Sequence, residues 1–317
     1  MKKLILIFAL AFCLMFSFNV LAFEKVDVSG SGFESEAVYS AKIIAFLAHA
    51  NLAAASLNCI WVAENGNDTS GNGTAAVPYA SLTKAMSMVT TVRKIIVMMP
   101  GVYKEVASVV WPTVTGIELT SFFGDVTIEG ALDEDEVILI DPAAFTTSTF
   151  AASISNINIS APTEDEYTSG VDGITFDNTN FTNRKINLYL NNVSFEGEDA
   201  DNCLYVVHTT AGQAMRVYWN GENTVVEGIL KINPKNVDDR FIFTGLQFDS
   251  GITFGTATIA SVTAFKDCIL LEGGGLGGQD TQVLNVLSCF SRVVTTHVFA
   301  VASLNEFAAN ALENILP

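Results

Sequence analysis

Two aspartates in the middle of the chain are the carboxylates best spaced for chemistry. Asp172 and Asp177 are five positions apart in the run Gly-Val-Asp-Gly-Ile-Thr-Phe-Asp-Asn, and the cations Arg184 and Lys185 follow them. Carboxylate oxygens are the ligands that Ca²⁺ prefers, so a calcium site is one interpretation of this pair. The other interpretation is that Asp-Gly and Asp-Asn begin and end one strand, because Asp and Asn side chains stabilise turns. We favour the turn interpretation.

The other candidate catalytic groups lack the neighbours that catalysis requires. Asp238 and Asp239 form a second carboxylate pair, but their segment is typical of a polar turn. His49, His208 and His297 stand outside any recognisable motif, so we expect each to be structural or on the surface. The chain contains no nucleophile elbow, metal-binding histidine pair or cofactor motif. We therefore predict no catalytic residue and no cofactor, with Ca²⁺ as the open alternative.

The stretch from 60 to 105 indicates the architecture that positions these groups. It begins with an apolar run, followed by a polar loop whose Asn-Gly and Ser-Gly pairs tolerate positive φ. Ser81 is a good N-cap for a short helix, and the apolar run 95–99 ends sharply at Pro100-Gly101. The predicted order is strand, tight polar loop, short capped helix, strand and turn.

This order, closed by Pro-Gly-Val-Tyr-Lys-Glu, resembles the first coil of single-stranded right-handed β-helices with the pectin-lyase-like fold. The resemblance implies an all-β, right-handed parallel β-helix and leaves the activity open, because many activities use one fold. Lyases of this fold combine a carboxylate cluster that holds Ca²⁺ with an Arg or Lys base. Asp172 and Asp177 would then be the calcium ligands, and Arg184 or Lys185 the base. Hydrolases of the fold use several aspartates and a Gly-His-Gly, which this chain lacks.

A weak internal repeat supports a solenoid. Its pattern is apolar, any residue, Asn/Gly/Asp, apolar, any residue, apolar, and the bend positions are Asn156, Asn192, Gly245 and Asp267. These residue types adopt the left-handed conformation most readily, so we expect the four to stack on one edge of the coils. The copies are 36, 53 and 22 residues apart, of which 22 fits one coil and the other two gaps suggest about two coils each. A β-sandwich is the structural alternative.

The predicted organisation has four parts. Residues 1–22 have a signal-like sequence, with two lysines, an apolar run and Val-Leu-Ala, although a retained apolar tail is the alternative. Residues 23–58 are predicted as a linker and an amphipathic helix that caps the first coil or pairs with other copies. Residues 59–303 form the predicted β-helix. Residues 304–317 form a predicted C-terminal cap, with a weak helix over 304–316.

Charge and cysteine content exclude several classes of protein. The chain has 34 acidic and 16 basic residues, a formal charge of −18, which argues against nucleic acid or an anionic membrane as the partner. Cys59, Cys203, Cys268 and Cys289 show no CxxC spacing, so a zinc site is not expected. We predict that they are buried small apolar residues, with one disulfide between Cys268 and Cys289 as the alternative.

A second resemblance concerns the segments 170–179, 185–190, 215–219 and 239–241. They are similar to β-helical proteins encoded among the virion genes of tailed bacteriophages, which decorate heads or form surface appendages. We therefore predict a non-catalytic structural protein on the virion surface. Its expected partners are identical copies or a capsid-like lattice, bound through the N-terminal helix, and surface glycans. The alternatives are a secreted or cell-surface bacterial adhesin and a lyase or hydrolase of acidic polysaccharides.

Overall fold

The computed structural model describes residues 58–121, 124–131, 135–141, 149–161, 171–179, 185–197, 201–209, 212–254 and 262–270, and the short strands at 277–278, 283–287, 290–291, 298–299 and 304–307. The signal-like segment, the amphipathic helix, Arg184, Cys289, His49 and His297 lie outside the described residues.

Almost all of the regular secondary structure in the described chain is β-strand. The N-terminal elements are β1 (Cys59–Val62), α1 (Leu82–Ser87), β2 (Ile95–Met98), β3 (Gly101–Lys104), β4 (Val109–Val110), β5 (Ile117–Thr120), β6 (Val126–Glu129) and β7 (Glu136–Ile140). The central strands are β8 (Thr149–Ser160), β9 (Asp172–Asp177), β10 (Lys185–Glu196), β11 (Asn202–Val207), β12 (Ala214–Val226), β13 (Ile229–Ile232), β14 (Arg240–Phe248), β15 (Ile252–Phe254) and β16 (Val262–Lys266). The last strands are β17 (Ile269–Leu270), β18 (Gly277–Gly278), β19 (Val283–Leu287), β20 (Phe290–Ser291), β21 (Val298–Phe299) and β22 (Leu304–Phe307).

Every pair of named strands in the described chain is parallel. One sheet has the order β1-β2-β5-β8-β10-β12-β14-β16-β19-β22, and a second has the order β15-β13-β11-β9-β7-β4. Along the central part of the chain, strands of the first sheet alternate with strands of the second. After the chain has passed through both sheets, its next strand pairs with the preceding strand of the same sheet. This all-β, parallel arrangement with few helices is consistent with a β-helix. The β-sandwich alternative is wrong, because sandwich sheets are antiparallel.

The long strands of the first sheet bend in the middle, which divides this sheet into one part before the bends and one part after them. β8 pairs with β5 before its bend and with β6 after it. At the bends, Asn156, Asn192, Gly245 and Asp267 have φ of 57°, 51°, 69° and 53°. The expected left-handed conformation at these four positions is therefore confirmed.

The spacing of the bends needs one correction. Asn192 donates from Nδ2 to Oδ1 of Asn156 across adjacent strands, so the 36-residue gap is a single coil and the expectation of two coils is wrong. The extra length lies in the connections between strands. β12 lies between the strands that carry the second and third bends. The β10–β12 register shifts over residues 191–195 of β10, and the β12–β14 register shifts over residues 220–224 of β12. The repeat pattern is therefore not visible in the sequence of this coil.

The core follows the alternation that strands impose. In β10 and β12, every second side chain before the bend is buried, and its neighbours face outward. One interior column runs along the coils through Ile154, Leu190, Trp219, Phe243 and Phe265, each at most 1% exposed. The rings of Phe243 and Phe265 stack with centroids 5.0 Å apart. Such stacking of large rings fixes the register of the coils by packing as well as by backbone hydrogen bonds.

The first coil has the predicted order of elements. Ser81 caps α1, accepting at its side chain a hydrogen bond from the backbone N–H of Lys84. Glu105, the residue after β3, is buried and accepts from the N–H groups of Leu82 and Thr83 at 2.7 and 3.2 Å. A carboxylate at these otherwise unpaired amides stabilises the helix start. The predicted strands, loop and helix are therefore confirmed, and the chain bends at Pro100, but the rest of the predicted closing turn is strand β3.

Two expectations about the C-terminal region differ from the structure. The predicted helix over 304–316 is wrong at its start, because Leu304–Phe307 is β22 and pairs with β19. The exposed edge of β19 offers backbone hydrogen bonds that override a weak helical preference. Cys268 is a buried thiol and not half of a disulfide, so the alternative pairing with Cys289 is also wrong.

Candidate functional site

The two predicted carboxylates lie at opposite ends of one strand. Asp172 is the first residue of β9 and Asp177 is the last, as the turn interpretation predicted. An extended strand rises about 3.3 Å per residue, so their Cα atoms are roughly 16 Å apart. Asp177 accepts at Oδ1 from the N–H of Thr179 at 2.7 Å, which is a local turn bond. The pair is too widely separated to act on one bond or to hold one ion.

Asp172 has a half-buried carboxylate with two side-chain donors. It accepts from Nδ2 of Asn202 at 2.5 Å and from the hydroxyl of Thr175 at 3.2 Å. Burial raises the pKa of Asp172 above its ordinary value, although these hydrogen bonds and the charge of Lys231 act in the opposite direction. Both carboxylate oxygens of Asp172 already accept a hydrogen bond from a neighbouring side chain.

The residues of the described chain do not fit a calcium site. They include no group of three or more His, Cys, Asp or Glu side chains placed to hold a metal ion. Of the two predicted base candidates, Arg184 lies outside the described residues, and Lys185 is the exposed first residue of β10. The arrangement derived from lyases is therefore not assembled by Asp172, Asp177 and Lys185.

A buried side-chain contact that the sequence did not reveal joins His208 and Asp239. Nδ1 of His208 lies 2.9 Å from Oδ2 of Asp239, and both side chains are fully buried. Asp239 also accepts from the backbone N–H groups of Met215, Lys235 and Asn236, at 2.8, 2.9 and 2.8 Å. Asp239 therefore joins the end of β11, the start of β12 and the turn before β14. Its role is to organise turns, although the sequence suggested only an ordinary polar turn.

The outward side chains of five neighbouring strands form one continuous face in the described chain. We call it the platform; its members are Ala151, Ser153 and Ser155 of β8, Lys185, Asn187, Tyr189 and Asn191 of β10, Arg216, Tyr218 and Asn220 of β12, Arg240, Ile242 and Thr244 of β14, and Val262, Ala264 and Lys266 of β16. Strand register arranges these side chains in rows that run from coil to coil.

Three rows of the platform differ in chemistry. The central row contains Tyr189 and Tyr218, whose rings stack with centroids 5.3 Å apart and planes 10° apart. On one side of this row lies a cationic row, in which Asn187, Arg216 and Arg240 are in register. On the other side lies an amide row, in register order Asn191, Asn220, Thr244 and Lys266.

The platform carries only positive formal charge. Its described members include four cations, Lys185, Arg216, Arg240 and Lys266, and no acidic residue. The chain as a whole has 34 acids against 16 bases, so this face has the opposite sign from the rest of the molecule. Two enclosed polar atoms of this face have no hydrogen-bond partner. They are Nε of Arg216 and Oδ1 of its register neighbour Asn187. The face therefore contains buried polar atoms whose hydrogen bonds are unsatisfied.

The fold and these surfaces define an all-β protein of parallel coils with a polar, cationic outer face. The family model described as "Protein of unknown function (DUF1565)" matches residues 64–237, which is more than half of the chain. The chain belongs to this family, which is associated with right-handed β-helix-like folds. The match covers the first coil, the bends at Asn156 and Asn192, and most of the platform.

The other comparisons add no relative. No curated protein and no solved structure matches the chain. Within the described residues, none of the helical structure has the length and apolar character needed to cross a bilayer.

Proposed function

We propose that this protein is a non-catalytic structural protein, displayed on a surface and built as a right-handed parallel β-helix. One observation carries the proposal: the buried carboxylates serve the backbone. Glu105 caps α1, Asp239 accepts from one amide of β12 and two of the turn before β14, and Asp201 accepts from the N–H of Val171 at 2.9 Å. Carboxylates committed to backbone amides rigidify a scaffold, whereas catalysis needs one that reaches substrate.

The handedness follows from a general rule about parallel strands. Crossover connections between parallel strands of one sheet are right-handed in about 98% of cases, because of the right-handed strand twist. Each coil here repeats such a connection, as from β8 through β9 to β10. Repeated connections of one hand accumulate into a right-handed solenoid.

The proposed location is the virion surface of a tailed bacteriophage. It rests on the similarity of the central segments to β-helical virion proteins. A bacterial cell surface is the second candidate, favoured by the signal-like sequence of residues 1–22. Cosedimentation of the protein with phage particles, against its recovery in the envelope fraction of uninfected cells, separates the two locations.

The catalytic alternative is tested directly on acidic polysaccharides. We expect the purified full-length protein to release neither unsaturated nor reducing ends from polygalacturonate or alginate, with and without added Ca²⁺. Sustained turnover that disappears in the Asp172→Ala or Asp177→Ala variant would overturn the proposal. A variant at Lys104, an exposed residue paired with Glu129 at 2.8 Å, is the control for nonspecific effects of substitution.

The proposed attachment is through the N-terminal region. A body with a formal charge of −18 repels identical bodies side by side, whereas an apolar segment avoids that repulsion. Deletion of residues 23–57 is expected to leave a soluble protein that no longer assembles with its copies or a lattice. Unchanged assembly of the shortened protein would place the attachment elsewhere.

A further inference from the structure

We propose that the platform is a binding site for an anionic polysaccharide, a chain of sugars in which some units carry a carboxylate. This inference rests on the proposed surface function and adds the class of ligand. It is independent of the location, because both virion and cell-surface proteins can meet such polymers. Its basis is the combination of charge, aromatic stacking and amide groups on one flat face.

The first argument is charge complementarity. The platform contains four cations and no acid among its described members, within a chain whose formal charge is −18. Two acidic residues border this face: Glu118 of β5, in register with Ser153, and Asp267, whose Oδ2 lies 3.9 Å from Nζ of Lys266. The unlike charges on the rest of the body direct an anionic ligand to the platform, since a local positive field attracts it while the acidic surroundings repel it.

The second argument comes from Arg216. This side chain is partly buried, and no hydrogen bond or ion pair joins it to another described residue; its enclosed Nε is unpaired. A partly desolvated guanidinium without an anion is unfavourable, and a carboxylate can form two parallel hydrogen bonds with its fork. Arg240 lies beside it in the register but already donates to the carbonyl oxygens of Val237 and Asp239 at 2.8 and 2.6 Å. Of the two register-neighbour arginines, Arg216 is therefore the one whose guanidinium is not already engaged by the protein.

The third argument is the shape beside Tyr189. Its ring stacks on Tyr218 on one side, and the register position on the other side is Ser153. The flanking outward residues of β8 are Ala151 and Ser155, so the floor beside this ring is made of small side chains. Tyr189 is 38% exposed, so part of its ring projects beyond these small side chains and is accessible to a ligand. The apolar C–H face of a sugar ring fits against such an aromatic ring, and its hydroxyls fit the nearby amides.

The spacing of cations favours a polysaccharide over a nucleic acid. Nucleic acids carry a phosphate at every unit, and their binding relies on many simultaneous Lys/Arg contacts. The platform offers four cations, of which Arg216 and Arg240 are neighbours, among a larger number of amide, hydroxyl, tyrosine and small side chains. The remaining phosphates of a bound nucleic acid would face an acidic body. A sugar polymer with fewer charges and many hydroxyls matches the mixed polar composition.

The test measures binding of the full-length protein to three polymers by calorimetry. The probes are polygalacturonate, the same polymer with its carboxylates methyl-esterified, and single-stranded DNA of similar length. We expect saturable binding to polygalacturonate, at least about tenfold weaker binding to the ester, and weaker binding to DNA. Binding should weaken as salt rises, because charged contacts are screened.

Variants locate the site. Arg216→Gln is expected to weaken polygalacturonate binding about tenfold, since a hydrogen bond between charged groups contributes about one such factor. Arg216→Lys should fall between Arg216→Gln and the parent, because it keeps the charge but loses the fork. Tyr189→Ser should weaken binding of both the charged and the esterified polymer. Lys104→Gln, which changes the net charge equally on another face, should leave binding unchanged.

Some outcomes would overturn the inference. Equal binding of the esterified polymer, tighter binding of DNA, equal effects of Arg216→Gln and Lys104→Gln, or no saturable binding would each do so. None of these affects the proposed non-catalytic function if turnover is also absent. Conversely, binding that depends on Arg216 together with turnover would support the site and overturn the proposed function.

Discussion

The side chains of Asn156 and Asn192 form a rung between adjacent coils. Nδ2 of Asn192 donates to Oδ1 of Asn156 at 3.2 Å, and both residues have positive φ. Nδ2 of Asn156 in turn donates to the carbonyl oxygen of Ser121 at 3.0 Å, which extends the contact to a third strand. The residue type that permits the bend thus also ties the coils together.

Substitution at Asn192 separates these two contributions. Asn192→Ala places a residue with a Cβ and no compensating amide at positive φ, and we expect a loss of about 1–2 kcal/mol of unfolding free energy. Asn192→Gly loses the same side-chain hydrogen bond but adopts positive φ without strain, so its loss should be smaller. Chemical denaturation measures both. Equal losses in the two variants would show that the backbone conformation contributes nothing.

Gly245 is a bend position where space adds to conformation. Its φ is 69°, and a Cβ added there would overlap the carbonyl oxygen of Gly221 in the adjacent strand. Gly245→Ala is therefore expected to cost more than about 3 kcal/mol, because strain at positive φ and a backbone clash act together. Asp267→Ala, at the equivalent bend one coil later, is the comparison and should cost about 1–2 kcal/mol. Similar midpoints in denaturant would contradict the clash.

The Asp238–Asp239 pair provides a matched test of buried polar bonding. Asp239→Ala removes the acceptor of the Met215 and Asn236 N–H groups in a fully buried position. Each orphaned buried donor costs about 1–3 kcal/mol, so a loss of at least about 3 kcal/mol is expected. Asp238→Ala changes an exposed neighbour and should stay within about 0.5 kcal/mol of the parent. A small effect at Asp239 would mean that the turns rearrange.

Asp172 gives the protein a specific dependence on pH. Burial raises its pKa above the ordinary value of 3.8, so the folded state binds the proton more tightly than the unfolded state. Stability from this residue is therefore present at low pH and is lost as pH rises from about that value through the folded pKa. Relative to the parent, Asp172→Asn should gain stability on going from acidic to neutral pH. A difference between the two proteins that does not vary with pH would contradict the shift.

The buried thiol of Cys203 should be chemically inert in the folded protein. It is 1% exposed, and burial is the main cause that raises its pKa. Alkylation requires an accessible thiolate, so labelling by iodoacetamide at neutral pH should be at least about 100-fold slower in the native protein than in denaturant. Peptide mass spectrometry resolves the rate at Cys203 from that at the other cysteines. Comparable rates in the two conditions would indicate local opening of β11.

Local turn chemistry explains which features could be predicted from the sequence. The bends at Asn156 and Asn192, and the cap at Ser81, depend on residues close in sequence with strong conformational preferences. The opposed positions of Asp172 and Asp177 follow from the same turn residues.

Long-range features could not be predicted in this way. The contact between His208 and Asp239 joins residues in different coils, and the rows of the platform depend on register. Register in turn depends on the length of every connection between strands. Because these lengths vary, a periodic sequence pattern does not reveal them. The position of Arg216 beside Asn187 and Arg240 therefore became apparent only with the coils in place.

From β8 onward, the coils shorten along the chain while their strands stay paired. Before the bends, register partners in the first sheet are 36 residues apart between β8 and β10, 29 between β10 and β12, 24 between β12 and β14, 22 between β14 and β16, and 21 between β16 and β19. Because most of the difference lies in the connections, insertions and deletions there leave the paired strands of the first sheet in place. Evolution can thus change the connections between the strands by altering their length alone. A designer could insert new segments into the same connections.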